Sequence, residues 1–304
     1  MKLLVTGASG LFGSRLAELA LRKNLEVYAL SSRHQSPYGT SIQLDISDKN
    51  AVEQTFKKIR PDTVVHAAAL TDVDKCENEK ELAWKINVEG TENIVNSSKK
   101  NRTFFIYIST DYIFDGEKGL YKENDPPNPI NHYGLTKLKA EERVKRLKEY
   151  CIARPSVIYG TTPAAGKVNF ALWLINKLES KEEVKITTDQ WNSPTLSTNL
   201  AEMTLEIIER KITGVHHLSG ATRISRYDFS KLLAQIFDLD GSLIVPSTST
   251  EFHWTAKRPK DSSLNIEKTK QILKTKPLAI DQALEKMRIE TQQSGKRTLS
   301  SLGK

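Results

Sequence analysis

The chain has 304 residues, of which 38% are hydrophobic and 27% charged, and its formal net charge is +8 at pH 7. That length supports one large α/β unit or two packed lobes, and no apolar run approaches the ~20 residues of a membrane span. Its two cysteines, Cys76 and Cys151, are far apart and have no clustered histidines, which argues against a disulfide framework or a structural zinc site, so no metal site is expected.

The excess lysine is interspersed with glutamate, as at Lys181-Glu182-Glu183, and reads as solvated surface. With no basic stripe interleaved with aromatics, neither nucleic acid nor a membrane is expected as a partner. Lys2–Thr6 reads as a buried strand reached directly from Met1, which predicts a cytoplasmic protein. The strand runs into Gly7-Ala8-Ser9-Gly10-Leu11-Phe12-Gly13, and a helix is predicted over 14–23. Three glycines at this spacing, between a first strand and a helix, predict a dinucleotide site: the turn is tight, the backbone can approach a diphosphate, and the helix start offers free N–H groups. A second strand over 26–30 ends at Ser31-Ser32-Arg33-His34. An acid there would bind the ribose hydroxyl of NAD; Arg33 instead suits a 2′-phosphate, so NADP(H) is favoured and NAD(H) stays open.

A third strand is predicted over 41–46, a helix over 48–59, and a fourth strand over 61–66. The fourth ends in Ala67, Ala68 and Ala69, small residues at the carboxyl edge where ligands sit in doubly wound sheets. His66 is assigned to strand packing. Asp74 and Glu77 suggest a capping box. The helix predicted over 79–100 contains Asn87 and Gly90, costly choices that imply a side-chain bond to a neighbouring strand. Phe104–Ile108 reads as a fully buried strand. It terminates in Ser109-Thr110-Asp111-Tyr112-Ile113-Phe114-Asp115-Gly116, which puts hydroxyls near a nicotinamide. The Pro-rich segment 125–130 is a stiff lid or a connector. In the next helix Tyr133 and Lys137 are four apart and share a face. A lysine cation beside a phenol favours the phenolate and moves it toward use as an acid–base group.

Alternating strands and helices up to Tyr159 predict an α/β fold, a Rossmann-type doubly wound parallel sheet. Beyond Gly160 the rhythm changes. Helices are expected over 170–178, 199–210, 227–237, 267–274 and 280–289, with strands at Val184–Thr187 and over 214–218. A smaller lobe is expected from 161–183 and 219–291, with 1–160 and 184–218 forming the larger unit and 292–304 a frayed tail.

The chain resembles the extended short-chain dehydrogenases/reductases, and within them the dTDP-4-dehydrorhamnose reductase family. The match rests on Gly7-x-x-Gly10-x-x-Gly13, Thr71-x-Val73-Asp74, the run from Ser109 to Gly116, and Tyr133-Gly134-x-x-Lys137. It continues through Arg154, Asp189-Gln190 with Ser193-Pro194-Thr195, and Arg258-Pro259 followed by Ser262 and Leu264. The resemblance implies NAD(P)H-dependent reduction of the 4-keto group of a nucleotide-linked deoxysugar. It implies Tyr133 as general acid, Lys137 tuning it and holding the nicotinamide ribose, and Thr110 polarising the ketone. It further implies Gly7, Ser9, Gly10, Leu11, Phe12 and Gly13 at the diphosphate and Arg33 at the adenosine ribose. Asp45 and Ile46 fall at the adenine, Ala67, Ala68 and Ala69 at the nicotinamide half, and Val73, Thr110, Asp111, Tyr112 and Arg258 at the sugar nucleotide. Two departures bear on the sugar: Val157 stands where the family often has Trp, and Asn192 where Gly is common. The alternatives are an NADP-binding regulatory subunit of methionine adenosyltransferase, with that enzyme as partner, and a sugar-nucleotide epimerase; a homodimer fits the resemblance.

Overall fold

The computed structural model describes residues 1–162 and 168–301, with side chains up to residue 293. The first part of the chain runs β1 (Lys2–Thr6), α1 (Leu11–Arg22), β2 (Glu26–Ser31), β3 (Thr40–Gln43), α2 (Lys49–Ile59) and β4 (Thr63–His66). It continues with α3 (Val73–Asn78), α4 (Lys80–Trp84), a π-helical turn (Lys85–Gly90), α5 (Thr91–Asn101), β5 (Phe104–Ile108), α6 (His132–Val144) and β6 (Tyr150–Ala153). After these come β7 (Ser156–Tyr159), α7 (Phe170–Glu179), β8 (Val184–Thr187), β9 (Trp191–Asn192), β10 (Pro194–Leu196), α8 (Ser197–Arg210) and β11 (Gly214–His216). The last elements are β12 (Ile224–Ser225), α9 (Arg226–Ile236), β13 (Ile244–Ser247), α10 (Glu267–Ile272) and α11 (Ile280–Ser301).

Seven parallel strands form the central sheet in the order β11-β6-β5-β4-β1-β2-β3. Helices cover both faces, so the central strands β1, β4 and β5 are buried along nearly their whole length rather than alternating, while the edge strand β3 is largely exposed. Leu3, Val5, Val65 and Ile106 point to one face and pack with α1 and α8. Leu4, Val64, Phe105 and Tyr107 point to the other, against α2, α5 and α6. The winding reverses between β1 and β4, which opens a crevice at their carboxyl ends.

A separate apolar cluster joins α7, α9 and α11 through Leu174, Phe229, Leu233, Leu284 and Met287. Here the structure departs from expectation. Val184–Thr187 pairs with β13, not with the central sheet, because Val184 and Ile186 turn into this cluster. The expected larger unit is therefore interrupted: its 184–218 stretch contributes β11 to the central sheet but β8 elsewhere. The frayed tail expected from 292 begins inside α11, while residues 302–304 lie outside those described.

Three local expectations also shift. The first helix starts at Leu11, directly after an extended Gly10, rather than at 14. Asp72, not Asp74, caps α3, accepting from the Lys75 N–H at 3.0 Å. The helix expected over 79–100 is broken by the π-helical turn, where the Asn87 amide bonds both backbone groups of Leu70. A widened turn of this kind lets a helix satisfy an inserted partner, and such turns concentrate at functional sites.

Candidate active site

The crevice begins at the turn after β1. Gly7 has φ +69°, and a Cβ there would stand 2.8 Å from the Ala68 nitrogen, so only glycine lets the exits of β1 and β4 lie this close. The Gly10 N–H closes the turn on the Gly7 carbonyl at 3.0 Å. No side chain caps α1 and no acid sits in its first turn, so its leading N–H groups and the positive end of its dipole stay available to an anion. Ser9, Gly10 and Leu11 are half-buried here, whereas Phe12 packs into the core and can offer only its backbone. Arg33 is exposed just beyond β2, and among the described residues no carboxylate is paired with it. Asp45 is exposed, but Ile46 turns inward beneath Gly90 into the core, so its side chain is not available to an adenine. Ala67, Ala68 and Ala69 line the carboxyl edge, half-buried, and the Ala68 N–H donates to Thr6 Oγ1 at 3.2 Å. Free N–H groups, a cation and the lack of an acid after β2 fit a phosphorylated dinucleotide.

Across the crevice, α6 presents Tyr133 and Lys137. Asn131 caps the helix by accepting the Gly134 N–H at 2.8 Å. Gly134 itself rests on the Tyr112 carbonyl, which any Cβ would strike, so this glycine sets how closely α6 approaches the loop after β5. Tyr133 and Lys137 are 9% and 2% exposed. Thr110 Oγ1 accepts from the Tyr112 N–H at 3.2 Å, which sets the hydroxyl in the loop whose Tyr112 ring packs against Tyr133. Burial pushes the phenol above its ordinary range, and the neighbouring Thr110 hydroxyl offsets this only in part. The lysine was expected to pull it down; burial dominates instead, because the ammonium is engaged elsewhere. Lys137 Nζ donates to the Ile108 carbonyl at 2.7 Å and lies 4.2 Å from the centre of the Tyr107 ring. Desolvation lowers its pKa to about 7.

Tyr112 packs edge-on against Tyr133 with ring centres 5.9 Å apart, and Leu70, Val73, Cys76 and Ala83 complete the apolar wall. Asp111, expected to face substrate, is 2% exposed and turns into the protein. Its carboxylate accepts from Ser156 at 2.8 Å, Ser262 at 2.6 Å and Thr110 at 3.1 Å. It orients the Thr110 hydroxyl from below. Asp74 accepts from Arg258 at 2.8 Å and from the Ala256 N–H at 2.9 Å, which ties the 252–258 loop to α3.

A family model described as the RmlD substrate binding domain matches residues 1–293. The chain belongs to the RmlD family. It is 33% identical to the dTDP-4-dehydrorhamnose reductase of Escherichia coli K12 over 89% of this chain and 91% of that one. The crystal structure of dTDP-4-dehydrorhamnose reductase from Bacillus anthracis in complex with NADP superposes with a TM-score of 0.87 at 30% identity, covering 95% of this chain and 99% of that one. The methionine adenosyltransferase 2 subunit beta of Danio rerio is 27% identical over 88% of this chain and 83% of its own.

This RmlD-family chain supports its site with buried polar networks that sequence reasoning missed. Asn87 donates to Thr136 Oγ1 at 3.0 Å as well as to Leu70, joining the π-helical turn to α6. His66 bridges Thr6 (2.6 Å) and Thr91 (2.9 Å), and desolvation lowers its pKa to about 3, so it stays neutral. Arg154 and Ser109 both bond Glu141 on the inner face of α6. The one signal for these was the costly Asn87–Gly90 pair; the others lie too far apart in sequence to read as a set. Val157, at the position where the family often has Trp, adopts φ +36°, a rare conformation for a β-branched residue.

Proposed function

We propose that the chain reduces the 4-keto group of a nucleotide-linked deoxysugar with NADP(H), using Tyr133 as the general acid. The observation that carries this reading is how the loop after β5 meets α6: Thr110 Oγ1 accepts from the Tyr112 N–H at 3.2 Å, the Tyr112 ring packs edge-on against Tyr133, and Lys137 donates to the Ile108 carbonyl at 2.7 Å. A phenol whose pKa is raised by burial is fully protonated at neutral pH, the state a proton donor needs. Thr110 can donate to the ketone oxygen once its single O–H turns away from Asp111, to which it donates at 3.1 Å. Lys137, once its Nζ swings from the Ile108 carbonyl, reaches a ribose hydroxyl and steadies the phenolate left after proton transfer. When bound, the dinucleotide supplies the hydride. Arg33 meets its 2′-phosphate and Gly7, Ser9, Gly10, Leu11, Phe12 and Gly13 its diphosphate through backbone groups. Ala67, Ala68 and Ala69 flank the nicotinamide half, and Val73, Tyr112 and Arg258 border the sugar nucleotide.

In this reading residues 1–160 hold the cofactor, while 161–183 and 219–291 close over the sugar. No helix among the described residues is long and apolar enough to cross a membrane, and the proposal places the reaction in the cytoplasm. The test is NADPH oxidation with dTDP-4-keto-6-deoxysugars. Turnover that depends on the sugar nucleotide is expected. Inertness, combined with tight binding to a methionine adenosyltransferase, would replace the enzyme by a regulatory subunit.

A further inference from the structure

Glu141 follows Tyr133 and Lys137 along α6 at four-residue intervals, so the three side chains share one face of the helix. Glu141 is fully buried, and both of its carboxylate oxygens are engaged. Oε1 accepts from Arg154 Nε at 2.9 Å and from the Ser109 hydroxyl at 2.6 Å, and Oε2 accepts from Arg154 Nη2 at 2.7 Å. Arg154, just beyond β6, is buried as well and is held in turn. Its Nη1 donates to the Glu123 carbonyl at 3.2 Å, and its guanidinium lies 5.5 Å from the centre of the Phe114 ring. The fork is bidentate, which fixes direction as well as distance. A buried ion pair adds little net stability, because desolvation of both charges offsets most of the attraction. What this pair does hold is the exit of β5.

Ser109 stands between Ile108, whose carbonyl accepts from Lys137 Nζ at 2.7 Å, and Thr110. One bond from Glu141 to Ser109 therefore ties that carbonyl to the helix that carries the phenol and the ammonium. Glu141 also places its charge one helical turn from Lys137, where it offsets part of the lysine's desolvation. The other groups around Lys137 supply no such anion. Tyr107 on β5 and Tyr133 on α6 are protonated phenols, and His66 on β4 is neutral. Cys76 on α3 is a thiol that donates to the Leu70 carbonyl at 3.3 Å, and the π-helical turn meets α6 through the neutral Asn87. The nearby carboxylates are turned elsewhere, Asp111 to Ser156 and Ser262, and Glu77 to the His132 N–H. We propose that Glu141, clamped by Arg154, is a positioning residue for the reduction: it orients the Ile108 carbonyl through Ser109 and keeps a counter-charge beside Lys137 as the ammonium moves between that carbonyl and the cofactor ribose. This rests on the ketoreductase reading, in which Lys137 works as a cation.

The test is a carbon NMR titration of labelled lysine Cε in the protein without ligands, with the Lys137 signal identified by its loss in Lys137→Met. The wild-type midpoint is expected at about 7. Glu141→Gln keeps the shape and removes the charge, and should lower the midpoint by about one to two pH units, the scale of a unit charge one helical turn away. That change leaves Arg154 without its counter-ion, so Glu141→Gln combined with Arg154→Met is measured beside it. The neutral pair should shift the midpoint the same way by about half a unit or more, and it decides alone if Glu141→Gln fails to fold. Ser109→Ala keeps both charges and releases the loop. In NADPH oxidation with dTDP-4-keto-6-deoxysugars it should lower kcat about tenfold, with KM and the Lys137 midpoint unchanged. A merely structural pair would lower the melting temperature of these variants and leave the midpoint where it was. An unchanged midpoint in both charge variants overturns the inference, as does wild-type kcat in Ser109→Ala, and both leave the ketoreductase reading intact. A wild type that oxidises no NADPH overturns that reading and, with it, the assignment of Glu141 to the reduction.

Discussion

Replacing Lys137 by methionine should make the protein more stable and less active, with a stability gain that depends on pH. The ammonium is 2% exposed, and desolvation lowers its pKa from 10.5 to about 7. Below pH 7 the lysine is charged in both folded and unfolded chains, and only the folded chain bears the desolvation cost. Between 7 and 10.5 the unfolded chain binds more protons, so stability rises with pH; above 10.5 both forms are neutral. At about 1.4 kcal/mol per pH unit the cost approaches a ceiling of about 5 kcal/mol at pH 6. Methionine has similar length and no charge. It forfeits the 2.7 Å bond to the Ile108 carbonyl and the contact with Tyr107, which returns about 1–3 kcal/mol. Urea unfolding at pH 6 should therefore show Lys137→Met more stable by about 2–4 kcal/mol, the surplus of the first effect over the second. The difference should shrink steadily when the titration is repeated at pH 8 and 9.5. A variant less stable than wild type at pH 6, or a difference independent of pH, would refute the argument that burial of the charge dominates at this site.

Tyr133→Phe should lower turnover by about two to four orders of magnitude, with NADPH affinity unchanged, and wild-type-like rates would remove the phenol from the mechanism. Arg33→Ala should weaken NADPH much more than NADH in fluorescence titrations; equal losses would dispose of a 2′-phosphate contact. Asn87→Ala leaves the Leu70 N–H and C=O and the Thr136 hydroxyl short of a partner. It should cost about 2–4 kcal/mol in urea unfolding and lower kcat, since α6 loses its tie to the π-helical turn; a change under about 0.5 kcal/mol, the level of an ordinary surface substitution, would show that the tie is idle.

What could be read from sequence was whatever is coded over a few consecutive residues. The glycine turn after β1, the apolar central strands and the four-residue spacing of Tyr133 and Lys137 each follow from one local period, so they stand in the structure where pattern put them. The position of Arg33, exposed two residues beyond β2, was legible for the same reason. Tertiary structure decided everything that depends on a partner distant in the chain. Asp111 belongs to a run that reads as site lining, yet Ser156 and Ser262 draw its carboxylate inward. Asp74 has the spacing of a cap but answers to Arg258, 184 residues away. The pairing of Val184–Thr187 with β13 depended on which apolar cluster lay within reach of Val184 and Ile186. The raised phenol and lowered ammonium on α6 arise from burial, a property of the whole packed chain that no spacing of residues encodes.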